Sequence, residues 1–160
     1  MSLYSQDHIK ILRAFANEKV RFMLIGGLAA IYYGVRRNTG DLDILVEPTE
    51  DNGIKIIKAL RSIDLELPEI KPEEFKEKLV LSFGLEPDAV DILNYTPGIE
   101  FNIAYQNSHT IEFNGILTRI IDIDDLIKNK ENLNRPGEKS LLDKYDAEVL
   151  KKIRKNKKEE

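Results

Sequence analysis

Asp41 and Asp43 stand one residue apart where the polar loop RRNTG gives way to an apolar run, DLDILVE, that stops at Pro48. Side chains alternate along a strand, so both carboxylates project from one face while Leu42, Ile44 and Val46 occupy the other. Same-face neighbours at this spacing lie within ~7 Å, a span that one or two divalent cations can bridge. A carboxylate taken out of water costs free energy unless it is paired, hydrogen-bonded or metal-bound, and two together also repel. The pair is therefore either a solvated strand end or a seat for something positive. Asp91 repeats the pattern as a lone acid between Val90 and Ile92 in the run AVDIL. On an adjacent strand it would complete a metal site and stand where a general base is needed; otherwise it marks a solvated edge. An oxygen-only ligand set suits Mg²⁺, which takes one or two carboxylates together with water and substrate phosphates.

Gly26-Gly27 falls where a short strand, VRFMLI, meets a helical segment, LAAIYY. Without Cβ atoms the backbone can approach a ligand closely, and the N–H groups of a helix start can receive a phosphate. A tight turn would need the same glycines for steric reasons alone. Neither G-x-x-x-x-G-K-[ST] nor G-x-G-x-x-G is present, which excludes a P-loop and a dinucleotide fingerprint. Arg36 and Arg37 precede the acidic pair and could clamp phosphate oxygens by bidentate hydrogen bonds, or simply balance the acids at the surface.

The elements that must position these residues follow from periodicity. Residues 5–18 predict a helix, with Ser5 as N-cap and Ile9, Ile11, Leu12, Phe15 and Ala16 inward. The strand ending at Gly26-Gly27 and a helix closed by Gly34 come next. After the DLDILVE strand, Thr49 to Ser62 predict an amphipathic helix with Ile54, Ile57, Ala59 and Leu60 inward. PEEFKEK reads as helical, LVLSFGLE and AVDILNY as strands parted by Pro87-Asp88, and residues 98–106 as a short helix or turn. Asn114-Gly115 between apolar runs is a strong hairpin signal. Asp122 caps a further helix with Asp125 three residues on, RPGEKS breaks it, and LLDKYDAEVLKKI makes the last. The fold class expected is α/β (α+β): a small mixed sheet flanked by helices, with a C-terminal hairpin and two helices.

Composition sets the outer bounds. A chain of 160 residues, 42% hydrophobic and 32% charged, suits one domain, read as residues 1–150, with 151–160 as a charged, solvated tail. The net charge of −4 argues against a strong sequence-independent grip on nucleic acid, while leaving room for a local basic patch. Cysteine is absent, which removes disulfides, thiolate catalysis and Cys-based zinc sites, and His8 and His109 lie far apart in sequence. After Met1-Ser2-Leu3 the chain turns polar and helical rather than reading as a secretory signal. No apolar run approaches the ~20 residues of a membrane span, so a cytoplasmic protein is expected.

Taken together, the strand, Gly-Gly, helix, basic loop, Asp-x-Asp and later Asp resemble the nucleotidyltransferase superfamily that includes DNA polymerase beta. Ile25-Gly26-Gly27 supplies the first half of that motif and Asp41-Leu42-Asp43 the second, after thirteen intervening residues. The match extends toward small bacterial members found in toxin–antitoxin and phage-defence operons, through Gly34, Arg37, Thr39, Asp41 and Asp43. Their C-terminal pattern looks like Leu126-Ile127, Lys130, Arg135-Pro136, Asp143 and Asp146. One departure is the segment GEKSLL, which separates Arg135-Pro136 from Asp143 where those relatives run directly on. The resemblance covers roughly residues 5–150.

What the resemblance implies is a two-ion Mg²⁺ site held by Asp41, Asp43 and Asp91, with a nucleoside triphosphate as substrate. Gly26, Gly27, Arg37, Thr39 and Lys130 would bind the nucleotide, although Lys130 also reads as a solvated helix residue. In-line attack of a hydroxyl on the α-phosphorus would transfer a nucleoside monophosphate and release pyrophosphate. The implied acceptors are transfer RNA, a tyrosine of a partner toxin, or a small molecule as in antibiotic adenylylation; separately, the chain's small size leaves little room for a dedicated acceptor domain and points to a partner protein or a homodimer. A catalytically idle nucleotide-binding or partner-binding module of the same fold is the alternative, and a structural α/β domain with incidental acids the plainest one.

Overall fold

Ser5 opens the first helix, α1 (Gln6–Asn17), by accepting a hydrogen bond from the His8 backbone N–H, while the His8 ring accepts one from the Ser5 backbone N–H. The structure is a computed structural model that describes residues 5–159, so the expectation resting on Met1-Ser2-Leu3 lies outside it. Ile9, Ile11, Leu12 and Phe15 are buried as their spacing requires, but Ala14 is buried and Ala16 exposed. Counting three and four residues on from Ile11 reaches Ala14 and Phe15 and passes over Ala16.

β1 (Phe22–Ile25) is buried along its whole length and runs into α2 (Gly26–Tyr33), which Gly34 closes with a φ of 120°. β2 (Asp41–Val46) follows, then α3 (Glu50–Ser62), capped by Thr49. The inward stripe of α3 is Gly53, Ile56, Ile57 and Leu60, a helical i, i+3, i+4, i+7 series, so Ile54 is half exposed rather than inward. Asn52 enters the core instead and bonds both the N–H and the carbonyl of Arg21, tying the start of α3 to the start of β1.

PEEFKEK forms a 3₁₀ turn (Pro72–Lys76) that buries Phe75. β3 (Val80–Phe83) and β4 (Ala89–Leu93) make an antiparallel pair, and α4 (Phe101–Asn107) leads to β5 (His109–Phe113) and β6 (Ile116–Ile120). The latter hairpin turns through Asn114 and Gly115 at φ 48° and 79°, the double positive pair that the sequence Asn-Gly favours. α5 (Ile123–Asn132) is capped by Asp122, whose carboxylate accepts from the Asp124 N–H; Asp125 accepts from the Asn107 side chain instead of closing a capping box. α6 (Glu138–Lys158) starts three residues before LLDKYDAEVLKKI and carries the charged C-terminal run as continuous helix.

The six strands form one mixed sheet in the order β3-β4-β2-β1-β6-β5. β2 lies antiparallel to β1 and parallel to β4, with Ile25 opposite Asp43 and Asp43 opposite Asp91. α2 packs against α5 and α6, and α1 against α3. Leu42, Ile44, Val90 and Ile92 fill the core between the acids along β2 and β4, at or below 1% exposure. Each apolar residue so buried stabilises the fold by ~1.5–3 kcal/mol. Strand alternation then obliges Asp41, Asp43 and Asp91 to the other face. Among the described residues no helix is long and apolar enough to cross a membrane.

Candidate active site

The parallel pairing of β2 with β4 brings Asp41, Asp43 and Asp91 together, with one carboxylate oxygen of each within 4.8 Å of the others. All three are partly buried. Burial, then the charges of Asp91 and Asp41, push the Asp43 carboxyl up to about 7, against opposing pulls from Lys130 and Arg135. Burial likewise raises Asp41, helped by Asp91 and Glu86 and opposed by Lys139 and Arg135. Asp91 accepts a hydrogen bond of 2.6 Å from Ser82 Oγ at its Oδ1. The cluster thus concentrates negative charge in a place that water only partly reaches, which a divalent cation would relieve. Three carboxylates and no nitrogen or sulfur ligand fit Mg²⁺.

Gly26 sits against this cluster with a φ of 73°, and a Cβ there would run into the Asp43 carboxylate. Glycine is needed twice over, for the left-handed backbone and for the space. At Gly27 a Cβ would fall 2.7 Å from Thr39 Oγ1 and 2.9 Å from an Arg37 guanidinium nitrogen, so Gly27, Thr39 and Arg37 share one wall.

A cleft of about 620 Å³ opens on that wall, lined among others by Gly27, Arg37, Thr39, Asp41, Lys130 and Arg135. A smaller one, about 260 Å³, lies on the Asp91 side, against Val80, Ser82, Tyr95 and Thr96. Asp43, Lys130 and Arg135 border both. The structure therefore gathers Gly26, Gly27, Arg37, Thr39, Asp41, Asp43, Asp91 and Lys130 around one two-lobed opening, whereas Arg36 is exposed and lines neither lobe.

Lys130 is 4% exposed, which excludes its reading as a solvated helix residue. Its Nζ lies 3.1 Å from Asp146 and 3.4 Å from Asp143. Arg37 makes a bidentate pair with Asp146, both bonds 2.8 Å, and Arg135 makes one with Asp143. The order Arg37–Asp146–Lys130–Asp143–Arg135 links the loop before β2, α5 and α6. GEKSLL accounts for this geometry: it supplies the first turn of α6, so Asp143 and Asp146, three residues apart, fall on one helix face toward Lys130. Burial would raise Asp146, but hydrogen bonds and charge from Arg37 and Lys130 outweigh it and hold the carboxyl below its ordinary value. The hydrogen bonds to Asp146 and Asp143, foremost among the causes, raise the guanidinium pKa of Arg37 and Arg135 respectively.

Glu86 and Lys139 also line the large cleft, with Glu86 folded over Gly40. Neither stood out in the sequence, since each lies in a polar loop or helix start with no periodic signal. Ser82 could have been found from its place two residues from Val80 on the strand beside Asp91.

No protein-family model matches the chain, and no curated protein sequence matches it. Among solved structures it is similar to a crystal structure of ANT(2")-Ia in complex with adenylyl-2"-tobramycin. The TM-score is 0.50 and the identity 14%, over 93% of each chain. The likeness is one of fold alone: among the described residues, six α-helices and a six-stranded mixed sheet.

Proposed function

We propose that the protein is a Mg²⁺-dependent nucleotidyltransferase that moves a nucleoside monophosphate from a nucleoside triphosphate to a hydroxyl acceptor. The observation that carries this reading is the convergence of Asp41, Asp43 and Asp91 within 4.8 Å, beside the Gly26-Gly27 turn. Mg²⁺ would be held by these three carboxylates, and when bound it supplies charge stabilisation for the attacking and leaving oxygens.

The chain's own residues do the remaining work. Gly26 and Gly27 present backbone at the start of α2, where a phosphate would approach the helix N–H groups without obstruction from a Cβ. Arg37, Lys130 and Arg135 line the larger lobe as fixed cations, held by Asp146 and Asp143, and receive the triphosphate. Such prior fixing lowers the entropy lost when substrate binds.

The acceptor enters the smaller lobe, past Tyr95 and Val80. Ser82 occupies Asp91 Oδ1, which leaves Oδ2 to take the proton of the acceptor hydroxyl. The freed oxygen bonds to the α-phosphorus, and the bond to the pyrophosphate oxygen breaks with pyrophosphate carrying away the electron pair.

The finer parts of this reading rest on the sequence: the resemblance points to a toxin–antitoxin or phage-defence setting with transfer RNA or a toxin tyrosine as acceptor, the lack of a membrane-spanning apolar run to the cytoplasm, and the chain's small size to a partner protein or a homodimer. The small molecule seen with ANT(2")-Ia supports a third acceptor class. Incubation with α-³²P-labelled ATP, GTP, CTP and UTP, in turn, with Mg²⁺ and cell extract tests the proposal. Label should pass to RNA, protein or a small molecule and should fail to pass with Asp43→Asn. No transfer to any fraction by folded wild-type protein contradicts it.

A further inference from the structure

Beyond the end of β1 remote from the acids, a second cleft of about 620 Å³ lies between the close of α1, the start of β1, α4 and the β5–β6 hairpin. Four of the residues lining it are cations, Arg13, Lys19, Arg21 and Arg119, on a chain whose net charge is −4. Arg119 is fixed by three hydrogen bonds, to Ser108 Oγ, Thr110 Oγ1 and the Tyr105 carbonyl, at 2.9–3.1 Å. Arg21 is held by Glu47 at 2.6 Å. Both guanidiniums lie over the Tyr105 ring, 4.5 and 4.6 Å from its centroid. An arginine has five N–H donors, so Arg119 keeps two unspent and Arg21 more. Among the described residues no acid pairs with Arg13 or Lys19.

Lys19 adds an independent observation. It occupies the position after the α1 cap with a φ of 56°, and the Val20 N–H reaches back to the Phe15 carbonyl to close the helix. That left-handed position is the one glycine fills most readily. A lysine there accepts backbone strain and places a charged side chain at the rim of the cleft.

We propose that this cleft is a second binding site, for a phosphate-rich polyanion. The cations come from three elements rather than converging on one point. Arg13 stands on the last turns of α1, Lys19 and Arg21 on the turn that follows it, and Arg119 on β6, a spread that matches several phosphates in a row better than a single one. Leu117, exposed at the cleft wall, and the guanidinium planes offer surface for an unpaired base. The shared chemistry is a run of phosphates, from either a single strand of nucleic acid or a free polyphosphate. The inference does not depend on the transferase reading, since none of these residues lines the acidic site.

The test is fluorescence anisotropy with a fluorescein-labelled ten-residue oligouridylate in EDTA, which silences any metal-dependent site. Wild type and Asp43→Asn should bind alike. Arg13→Gln/Lys19→Gly should bind at least tenfold more weakly, while melting no lower than wild type because glycine suits position 19. The slope of log K against log salt should flatten by about 1.4 for two lost contacts to a single strand. Competition by tripolyphosphate at equal phosphate concentration assigns the site to free polyphosphate, and its failure to compete assigns it to a strand; both support the proposal. No binding by wild type, or equal binding by the double variant, overturns it.

Discussion

Asp43 on β2 and Asp91 on β4 face each other in register across a parallel strand pair, so the Asp91 charge adds to burial in raising the cost of ionising Asp43. With Asp41 on the same face, this makes the metal-free site a source of instability, which gives the pH dependence a definite sign. Asp43 holds its proton more tightly in the folded chain than in the unfolded one, where it titrates near 3.8. Its contribution to stability is therefore full below about pH 4 and is lost as pH rises through about 7. In EDTA, wild type should lose stability across that window, by at most roughly 4 kcal/mol at 1.36 kcal/mol per unit. Asp43→Asn should lose less, only the part that the raised Asp41 carboxyl contributes, and should be the more stable protein at pH 8. Urea denaturation of both proteins from pH 4 to 8 measures the difference.

Asp146 carries the opposite sign. It is fully buried, and its carboxyl is held below the ordinary value, so its contribution is present above about pH 4 and lost as pH falls further. Asp146→Asn strips Arg37 of its bidentate partner and Lys130 of its nearer acid. Breaking a buried pair in this way costs about 3–5 kcal/mol. Asp143→Asn should cost less, because Arg135 is partly exposed and can turn to water. Chemical denaturation at pH 7 ranks the two.

The two glycines should separate stability from ligand binding. Gly26→Ala forces a left-handed φ on alanine, at about 1–3 kcal/mol, and drives the new methyl into Asp43. Stability and metal binding should fall together. At Gly27 the φ is ordinary and the neighbours are Thr39 Oγ1 and the Arg37 guanidinium that Asp146 holds, away from the acids. Gly27→Ala should lose less stability than Gly26→Ala and weaken nucleotide binding more than cation binding. Thermal melts beside calorimetric titrations of Mg²⁺ and of ATP show which variant loses what.

The strand periodicity that hid Leu42, Ile44, Val90 and Ile92 also dictated where Asp41, Asp43 and Asp91 point, which is why the acidic face was legible in the sequence. That β2 and β4 are neighbours is a long-range pairing, and no local signal encodes it. Ile54 illustrates the limit of hydrophobic counting: the inward stripe of α3 passes through Gly53 and Ile56, and Asn52 earns its buried place through hydrogen bonds to Arg21. Lys130 shows a second limit. A lysine in a polar helix reads as solvated until α6 lays Asp143 and Asp146 against it. Glu86 reaches the site only through the fold of the β3–β4 connection, and its loop sequence carries no mark of that.

If the three carboxylates form a cation-dependent nucleotide site, isothermal titration of each NTP into the protein, with and without Mg²⁺ and with Asp43→Asn alongside, will read it out. Wild type should bind at least one NTP in a manner that requires Mg²⁺, and the variant should bind none. Folded wild-type protein that binds no NTP, or a variant that binds as wild type does, would contradict it.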